Sequence, residues 1–352
     1  MPYLSGNGGT ETVIKNFYEA MTENHESKNW KWKLVSFGGS ENSFWMSAWP
    51  KKVYSFPNNR LFQYICYIIL LPILIPNILR KEKPDVFIAT NPIMWTIAYK
   101  VKKIYNCNTK IIAWYHYSFK KKNVKKIYLN NVDIFWAISN GIKNELISMG
   151  VNPNKIKVVF NPINTKNSSV IKRSGARNHF IYVGRIDYDG QKNVSELIRG
   201  LSRVDGQWSC DLYGTIASDT FNKLEKLKSE LGISNKIVFH GFSKNVWSKI
   251  KEADVILLTS KYEGLPMVLC EAASCGISLI ASNCPTGVAD IINKNNGYLY
   301  KPGDVSQLSR ILNAIISGKK VLPDVKQVRD SIQKFNYEAY CNRIIESLKD
   351  SN

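Results

Sequence analysis

Nine short apolar runs limit what this chain can fold into. In the first half they are WKLVSF (32–37), DVFIAT (85–90), KIIAWYH (110–116) and VDIFWAIS (132–139). In the second half they are FIYVG (180–184), WSCDLYG (208–214), KIVFHG (236–241), DVILLTS (254–260) and ISLIAS (277–282). Each is short, rich in β-branched and aromatic residues, and apolar on both faces. A strand of that kind needs cover on both sides, which a parallel sheet between two layers of helix provides. The stretches between the runs are amphipathic and suit crossover helices. Strand and helix alternating in two successive series predict an α/β chain of two doubly wound, Rossmann-like domains. Each would have its ligand edge at the carboxyl ends of its strands. The length of 352 residues also exceeds what one core ordinarily supports. The polar, aperiodic NPINTKNSSVIKRSGARN (161–178) is the expected linker, so the first domain is placed at 1–164 and the second at 165–333. The two strand edges would then face each other across a cleft.

Two segments of the first half stand out. The chain opens MPYLSGNGGTETVIKNF, a glycine loop running straight into a helix with no apolar strand before it. Such a loop normally follows a domain's first strand. Either the start is short by a strand, or this domain lacks one. The stretch YICYIILLPILIP (64–76) has membrane character, but it is 13 residues long and broken by Pro72 and Pro76. A spanning helix needs roughly 20. Two readings remain open: a buried or partly buried helix, or an apolar surface resting on a membrane with nearby lysines on acidic headgroups.

The net charge of +20 is unevenly spread. Residues 1–165 hold 22 Lys/Arg against 9 Asp/Glu, and the remainder 26 against 19. Much of the excess lies in KVKK (100–103) and KKKNVKK (120–126), the latter beside the aromatic WYHYSF (114–119). Such charge suits an acidic lipid surface, a phosphorylated substrate or nucleic acid, or is simply a solvated lysine face. No helix-turn-helix, zinc or RNA-binding signature accompanies it, so nucleic acid is not expected. The seven cysteines are scattered without a CxxC pair, and the four histidines lack metal-ligand spacing. With no signal peptide in view, the expectation is a reduced, cytoplasmic chain without a protein-held metal.

Three places could carry chemistry. In KYEGLPMVLCEAASCG (261–276), Glu263 follows a buried strand, Pro266 suits the first turn of a helix, and Glu271 lies more than a turn inside it. Gly264 and Leu265 supply no capping side chain, so the helix start keeps free N–H groups and the positive dipole end for an anion or water. In YVGRIDYDGQKN (182–193), Gly184 and Arg185 close a strand and Lys192 opens the next helix, a pair of cations suited to a diphosphate. Asp187 and Asp189 lie between them and could equally neutralise the loop. Gly8 and Gly9 of GNGGTE (6–11) would let backbone approach a phosphate, and His116 closes a first-domain strand.

Together with AISNGIKNEL, VVFNPI and NNGYLYKPGD, these segments occur in the order found in retaining glycosyltransferases of family 4. The chain resembles that family over nearly its whole length, most specifically from 180 to 303, and within it the lipopolysaccharide 1,6-galactosyltransferases. The resemblance implies a GT-B fold and hexose transfer from a UDP-sugar, as co-substrate, to a cell-envelope or exopolysaccharide glycan. It implies that Glu263 meets the donor sugar and that the backbone segment Gly264, Leu265, Pro266 and Met267, through its free amides, holds sugar and phosphate. Glu271 would bind the ribose hydroxyls and Arg185 and Lys192 the diphosphate. Gly9 matches the N-terminal phosphate loop, and His116 the histidine that meets the donor hexose. The segment KFNYEAYCNRIIESL (334–348) matches the C-terminal helix that completes the first domain. No metal is expected, and the acceptor is expected to be lipid-linked at the inner face of the membrane. A non-catalytic partner subunit and a UDP-sugar epimerase are the rival readings.

Overall fold

All strand pairs among the described residues are parallel, as strands apolar on both faces require. The computed structural model describes residues 1–349 except Asn7, Asn58, Asn167, Ala176 and Arg177, with the backbone alone at Arg60. Part of the 161–178 linker and residues 350–352 of the C-terminal segment therefore lie outside the described residues. The chain forms two units: Met1–Pro162 with the segment from Tyr337 onward, and Ile163–Asn336.

Unit 1 opens with α1 (Gly9–Glu23), β1 (Leu34–Gly38), β2 (Lys51–Ser55) and α2 (Arg60–Glu82). It continues through β3 (Val86–Ala89), α3 (Pro92–Ile104), β4 (Lys110–Ala113) and α4 (Lys126–Leu129), then β5 (Ile134–Ala137), α5 (Asn140–Ser148) and β6 (Ile156–Val158). Its strands form two sheets, β1-β2 and β3-β4-β5-β6. Met1–Leu4 runs beside β1. The Met1 amine donates to Val35 O, Phe37 N donates to Met1 O, and Leu4 bridges Ser40. On its other side, Thr90 Oγ1 donates to Met1 Sδ just past β3. The opening segment thus occupies the slot between the two sheets without forming a regular strand.

Local chemistry sets the helix starts. The Asn91 and Ser139 side chains cap α3 and α5 by accepting from Ile93 N and Ile142 N, and Pro92 fills the first position of α3. The core of this unit is aromatic: Phe17 on α1 packs against Trp32, Trp49, Trp114, Trp136 and Tyr340.

α2 departs from both sequence readings in length. It runs 23 residues, straight through Pro72 and Pro76, because one side packs on the unit through buried Leu71, Ile75, Ile78 and Leu79. The segment Leu61–Glu82 is long and apolar enough to cross a membrane, and only 17% of its most apolar window is buried. The helix is therefore partly buried, with most of its apolar window open to solvent.

Unit 2 runs β7 (His179–Val183), α6 (Val194–Leu201), β8 (Ser209–Tyr213), α7 (Ser218–Glu230), β9 (Ile237–Gly241) and α8 (Val246–Lys249). Then come β10 (Val255–Leu258), α9 (Met267–Ser274), β11 (Ser278–Ser282), α10 (Val288–Ile291), β12 (Gly297–Tyr300), α11 (Val305–Ile316) and α12 (Val325–Asp330). The six strands lie in the order β12-β11-β10-β7-β8-β9. The chain starts in the middle, builds outward to β9, and returns to the other side of β7 with β10. That reversal between β7 and β10 splays the two following loops apart, and ligands of such sheets bind there. The final helix, α13 (Tyr337–Lys349), packs within unit 1: Tyr337 Oη donates to Glu19 and Trp136 Nε1 to Ser347.

Candidate active site

The loop after β7 begins at Gly184, whose φ of +153° favours glycine and whose carbonyl leaves no room for a side chain on the neighbouring Gly214. A Cβ on Gly214 would come 1.7 Å from Gly184 O. Arg185 follows with 61% of its side chain exposed. One guanidinium nitrogen donates to Gln191 Oε1 at 3.3 Å and stands 3.8 Å from Asp187. Asp187 does not chiefly neutralise the cations. Its carboxylate accepts from the backbone N–H of Lys192 and Asn193, closing the loop on itself. A Cβ on Gly190 would sit 2.7 Å from that carboxylate, so the clasp needs glycine there. Asn193 takes the left-handed conformation with φ +53°, and Thr259 Oγ1 at the end of β10 donates to the carbonyls of Lys192 and Asn193. The loop is thereby tied across the switch point.

Lys192 points away from the clasp, and its Nζ donates to Glu263 Oε1 at 2.7 Å. The two side chains are 17% and 8% exposed, so both charges are largely removed from water and each is held by the other. Sequence spacing assigned these two groups to different parts of a ligand; the fold brings them together. Gln191 reinforces the junction by donating to Tyr262 O at 3.1 Å. After Glu263 the chain passes through Gly264 and buried Leu265 to Pro266, which is the N-cap of α9 rather than its first helical residue. No side chain caps α9. Leu269 N returns to Pro266 O, and the amides of Met267 and Val268 have no partner among the described residues. A helix start left open in this way attracts an anion.

Glu271 lies on the fifth residue of α9. Trp247 Nε1, on α8, donates to its Oε2 at 3.0 Å. Burial pushes the Glu271 carboxyl above the ordinary range, and the Trp247 hydrogen bond partly offsets this.

In unit 1, Gly8 is the N-cap of α1 and Gly9 its first residue. A Cβ on Gly9 would meet nothing within 4 Å. The loop is already occupied by a carboxylate: Glu11, 4% exposed, turns back to accept from Gly6 N at 2.8 Å. His116 lies three residues beyond β4, its ring 4.5 Å from that of Trp114. Both imidazole nitrogens are buried and neither has a hydrogen-bond partner among the described residues. Burial lowers its pKa to about 3, so the ring is neutral at any physiological pH. No group of three or more potential metal-ligating side chains is found among the described residues.

With that geometry in hand, comparison with known proteins is decisive. Residues 164–335 match the family profile described as Glycosyl transferases group 1, and residues 7–167 that of Glycosyltransferase Family 4. The chain is 33% identical to the lipopolysaccharide 1,6-galactosyltransferase of Escherichia coli K12, over 97% of this chain and 94% of that one. Identity to the Salmonella typhimurium protein of the same name is 34%, over 90% and 88%. The chain belongs to glycosyltransferase family 4.

Solved structures agree on the fold. The apo lipopolysaccharide outer core galactosyltransferase WaaB superimposes with a TM-score of 0.85 at 29% identity, covering 100% of both chains. HepE from Anabaena in complex with UDP gives 0.80 at 17% identity, over 99% and 98%. The architecture is GT-B.

Sequence reasoning on this glycosyltransferase missed several residues. Trp247 carried no signal, because its contact with Glu271 is made across 24 positions. Gly287 was equally silent. A Cβ there would come 2.2 Å from Gly264 O and 2.8 Å from Leu265 Cα, so it lets the loop after Glu263 sit where it does. Glu196, 5% exposed, accepts from Tyr300 Oη, Gly303 N and Asn193 Nδ2, and anchors the far side of the Lys192 loop.

Proposed function

We propose that this glycosyltransferase moves a hexose, galactose or glucose, from a UDP-sugar to a cell-envelope or exopolysaccharide glycan with retention of configuration. The observation that carries the reading is the convergence of Glu263, Lys192, Arg185 and the uncapped start of α9 at the switch point of unit 2. The galactosyltransferase names of its relatives support the choice of sugar and acceptor class.

Each group has a role in that reading. Arg185 and Lys192 take the diphosphate, Arg as a fork and Lys as a point charge. The amides at the start of α9 take sugar hydroxyls or phosphate, and Glu271 the ribose hydroxyls. As the bond to the anomeric carbon breaks, that carbon gains positive character and the diphosphate gains negative charge. Arg185, Lys192 and the helix dipole stabilise the departing group. Glu263 accepts hydrogen bonds from the donor sugar, and the 2.7 Å contact with Lys192 holds it in place. His116, neutral and unpartnered, offers one N–H and one lone pair to the transferred hexose. The acceptor attacks on the face the diphosphate leaves, and the diphosphate helps remove its proton. Gly8 and Gly9 approach the donor phosphates less directly, since Glu11 already holds the loop. No bound metal is needed where two cations face the leaving group.

The acceptor is lipid-linked, and the protein works peripherally at the cytoplasmic face of the membrane. The open apolar side of α2 and the basic excess of the first half support this.

The test is a transfer assay with UDP-galactose, UDP-glucose and UDP-N-acetylhexosamines against a core-oligosaccharide acceptor, with the product anomer read by NMR. One donor should give an α-linked product from an α-donor, undiminished by EDTA. Glu263→Gln should cut turnover by about 10²–10³-fold with little change in UDP affinity. An inverted product, conversion of the UDP-sugar without acceptor, or equal loss of turnover and UDP affinity in Glu263→Gln would each overturn part of this reading.

A further inference from the structure

A pocket lies in unit 1, away from the carboxyl ends of the strands. It has a volume of about 740 Å³ and sits at the amino-terminal ends of β3 and β4, between the last turns of α2 and α3. His116 lies at the opposite ends of the same strands, so this pocket is separate from the site described above.

Its lining is basic. Arg80, Lys83 and Lys110 face it together with one carboxylate, Asp85. Lys83 has no partner among the described residues. Arg80 rests over the ring of Tyr105, 5.0 Å from its centroid. Lys110 Nζ donates to Leu348 O at 3.0 Å, and burial lowers its pKa, with Asp133 partly offsetting this. The walls are fixed. Lys83 and Asn106 end their helices in the left-handed conformation, and Thr109 Oγ1 donates to Pro84 O at 2.7 Å.

The apolar surface leading to it indicates the source of an anion. On α2, Leu61, Ile65, Ile68, Ile69 and Ile73 are 41–66% exposed at helical spacing along one face. The same face ends at Arg80, two turns beyond Ile73. Across the pocket, the rim carries Ile104 and Tyr105, 75% and 49% exposed. An apolar helix face that ends in cations, with an aromatic at the boundary, is the pattern of a helix lying in a membrane interface.

We propose that this pocket binds the phosphate-bearing headgroup of an anionic phospholipid, holding α2 flat in the interface. Arg80 and Lys83 take the phosphate oxygens, and Lys110 supplies the inner charge. The proposal rests on the membrane-docked reading of unit 1 and adds to it a discrete headgroup site.

Flotation of the full chain with phosphatidylcholine vesicles, with and without cardiolipin, tests it. The double variant Arg80→Gln/Lys83→Asn, in which Asn suits the left-handed position, should bind cardiolipin vesicles roughly thirty-fold more weakly. It should keep its binding to phosphatidylcholine alone and its turnover in detergent solution. Ile65→Asp/Ile69→Asp should lose binding to both. Unchanged cardiolipin affinity in the double variant would overturn the headgroup site while leaving membrane docking intact. Binding of the wild type to no vesicle would overturn docking. If glycerol phosphate then still stabilised the wild type but not the double variant, the pocket would be a soluble phosphoester site and the lipid assignment would fall.

Discussion

The two units place their polar groups in opposite ways. In unit 2, the side chains at the switch point satisfy one another. Lys192 holds Glu263, Asp187 holds two backbone amides, Trp247 holds Glu271, and Gln191 joins both loops. In unit 1, His116 has no partner for either nitrogen among the described residues, and α2 leaves a row of isoleucines in water. Unit 2 is a cradle whose polar side chains are paired with one another. Unit 1 leaves the His116 nitrogens and the isoleucine face of α2 unmet among the described residues, and in the function proposed above substrate meets the first and a membrane interface the second. The difference also says where a substitution will harm folding and where it will harm only chemistry.

The largest effect should come from splitting the Lys192–Glu263 pair. Lys192→Ala leaves a nearly buried carboxylate alone and should lower unfolding free energy by about 3–5 kcal/mol, read by urea melts. No loss of stability would mean that the pair is not the keystone of the cradle. Next is His116→Asn. Turnover should fall about 10²-fold, equivalent to about 2.7 kcal/mol, while urea stability stays within about 1 kcal/mol of wild type. If stability fell as much as activity, the histidine would belong to the core. Gly287→Ala should cost about 2 kcal/mol by pushing its Cβ into the Gly264 carbonyl, and should weaken UDP binding in calorimetry.

The smallest and most discriminating effect is in acid. His116 is held neutral with a pKa of about 3, so its stability contribution is complete above its unfolded value near 6.5 and is lost as pH falls. The loss is at most about 1.4 kcal/mol per pH unit. In unit 2, the Asp211 carboxylate bonds His179 and raises its pKa, so that contribution is complete below 6.5 and fades as pH rises. Between pH 6.5 and 5, hydrogen exchange should quicken in β4 of unit 1 but not in β7 of unit 2. Parallel behaviour of the two would remove the contrast.

Much of this was legible in the residues. All nine apolar runs contain strands, since double-sided burial leaves a plain mark on a sequence. The three strands without a matching run are those with weaker marks. β2 is mostly exposed, β6 is three residues long, and β12 contains a glycine where a Cβ would sit 1.8 Å from Leu279 O. Glu263, Arg185 and Lys192 stood out in the sequence as candidates because strand ends and glycine turns flank them, and Glu271 because it lies just inside the helix that follows. Their pairing was not found, because Lys192 and Glu263 are 71 positions apart and only the β7–β10 adjacency joins them. α2 was misjudged for a different reason. Proline normally ends a helix, but here packing of Leu71, Ile75, Ile78 and Leu79 carries the helix past two of them.

The central claim is that the cradle of unit 2 holds a uridine diphosphate. A thermal shift of the purified chain against UDP, GDP, ADP and a set of UDP-sugars addresses it directly. A ligand at 100 times its dissociation constant adds about 2.7 kcal/mol, a shift of several degrees. The account predicts stabilisation by UDP and by one UDP-sugar, and its loss in Lys192→Ala. Stabilisation by no nucleotide, or equally by UDP, GDP and ADP, would contradict it.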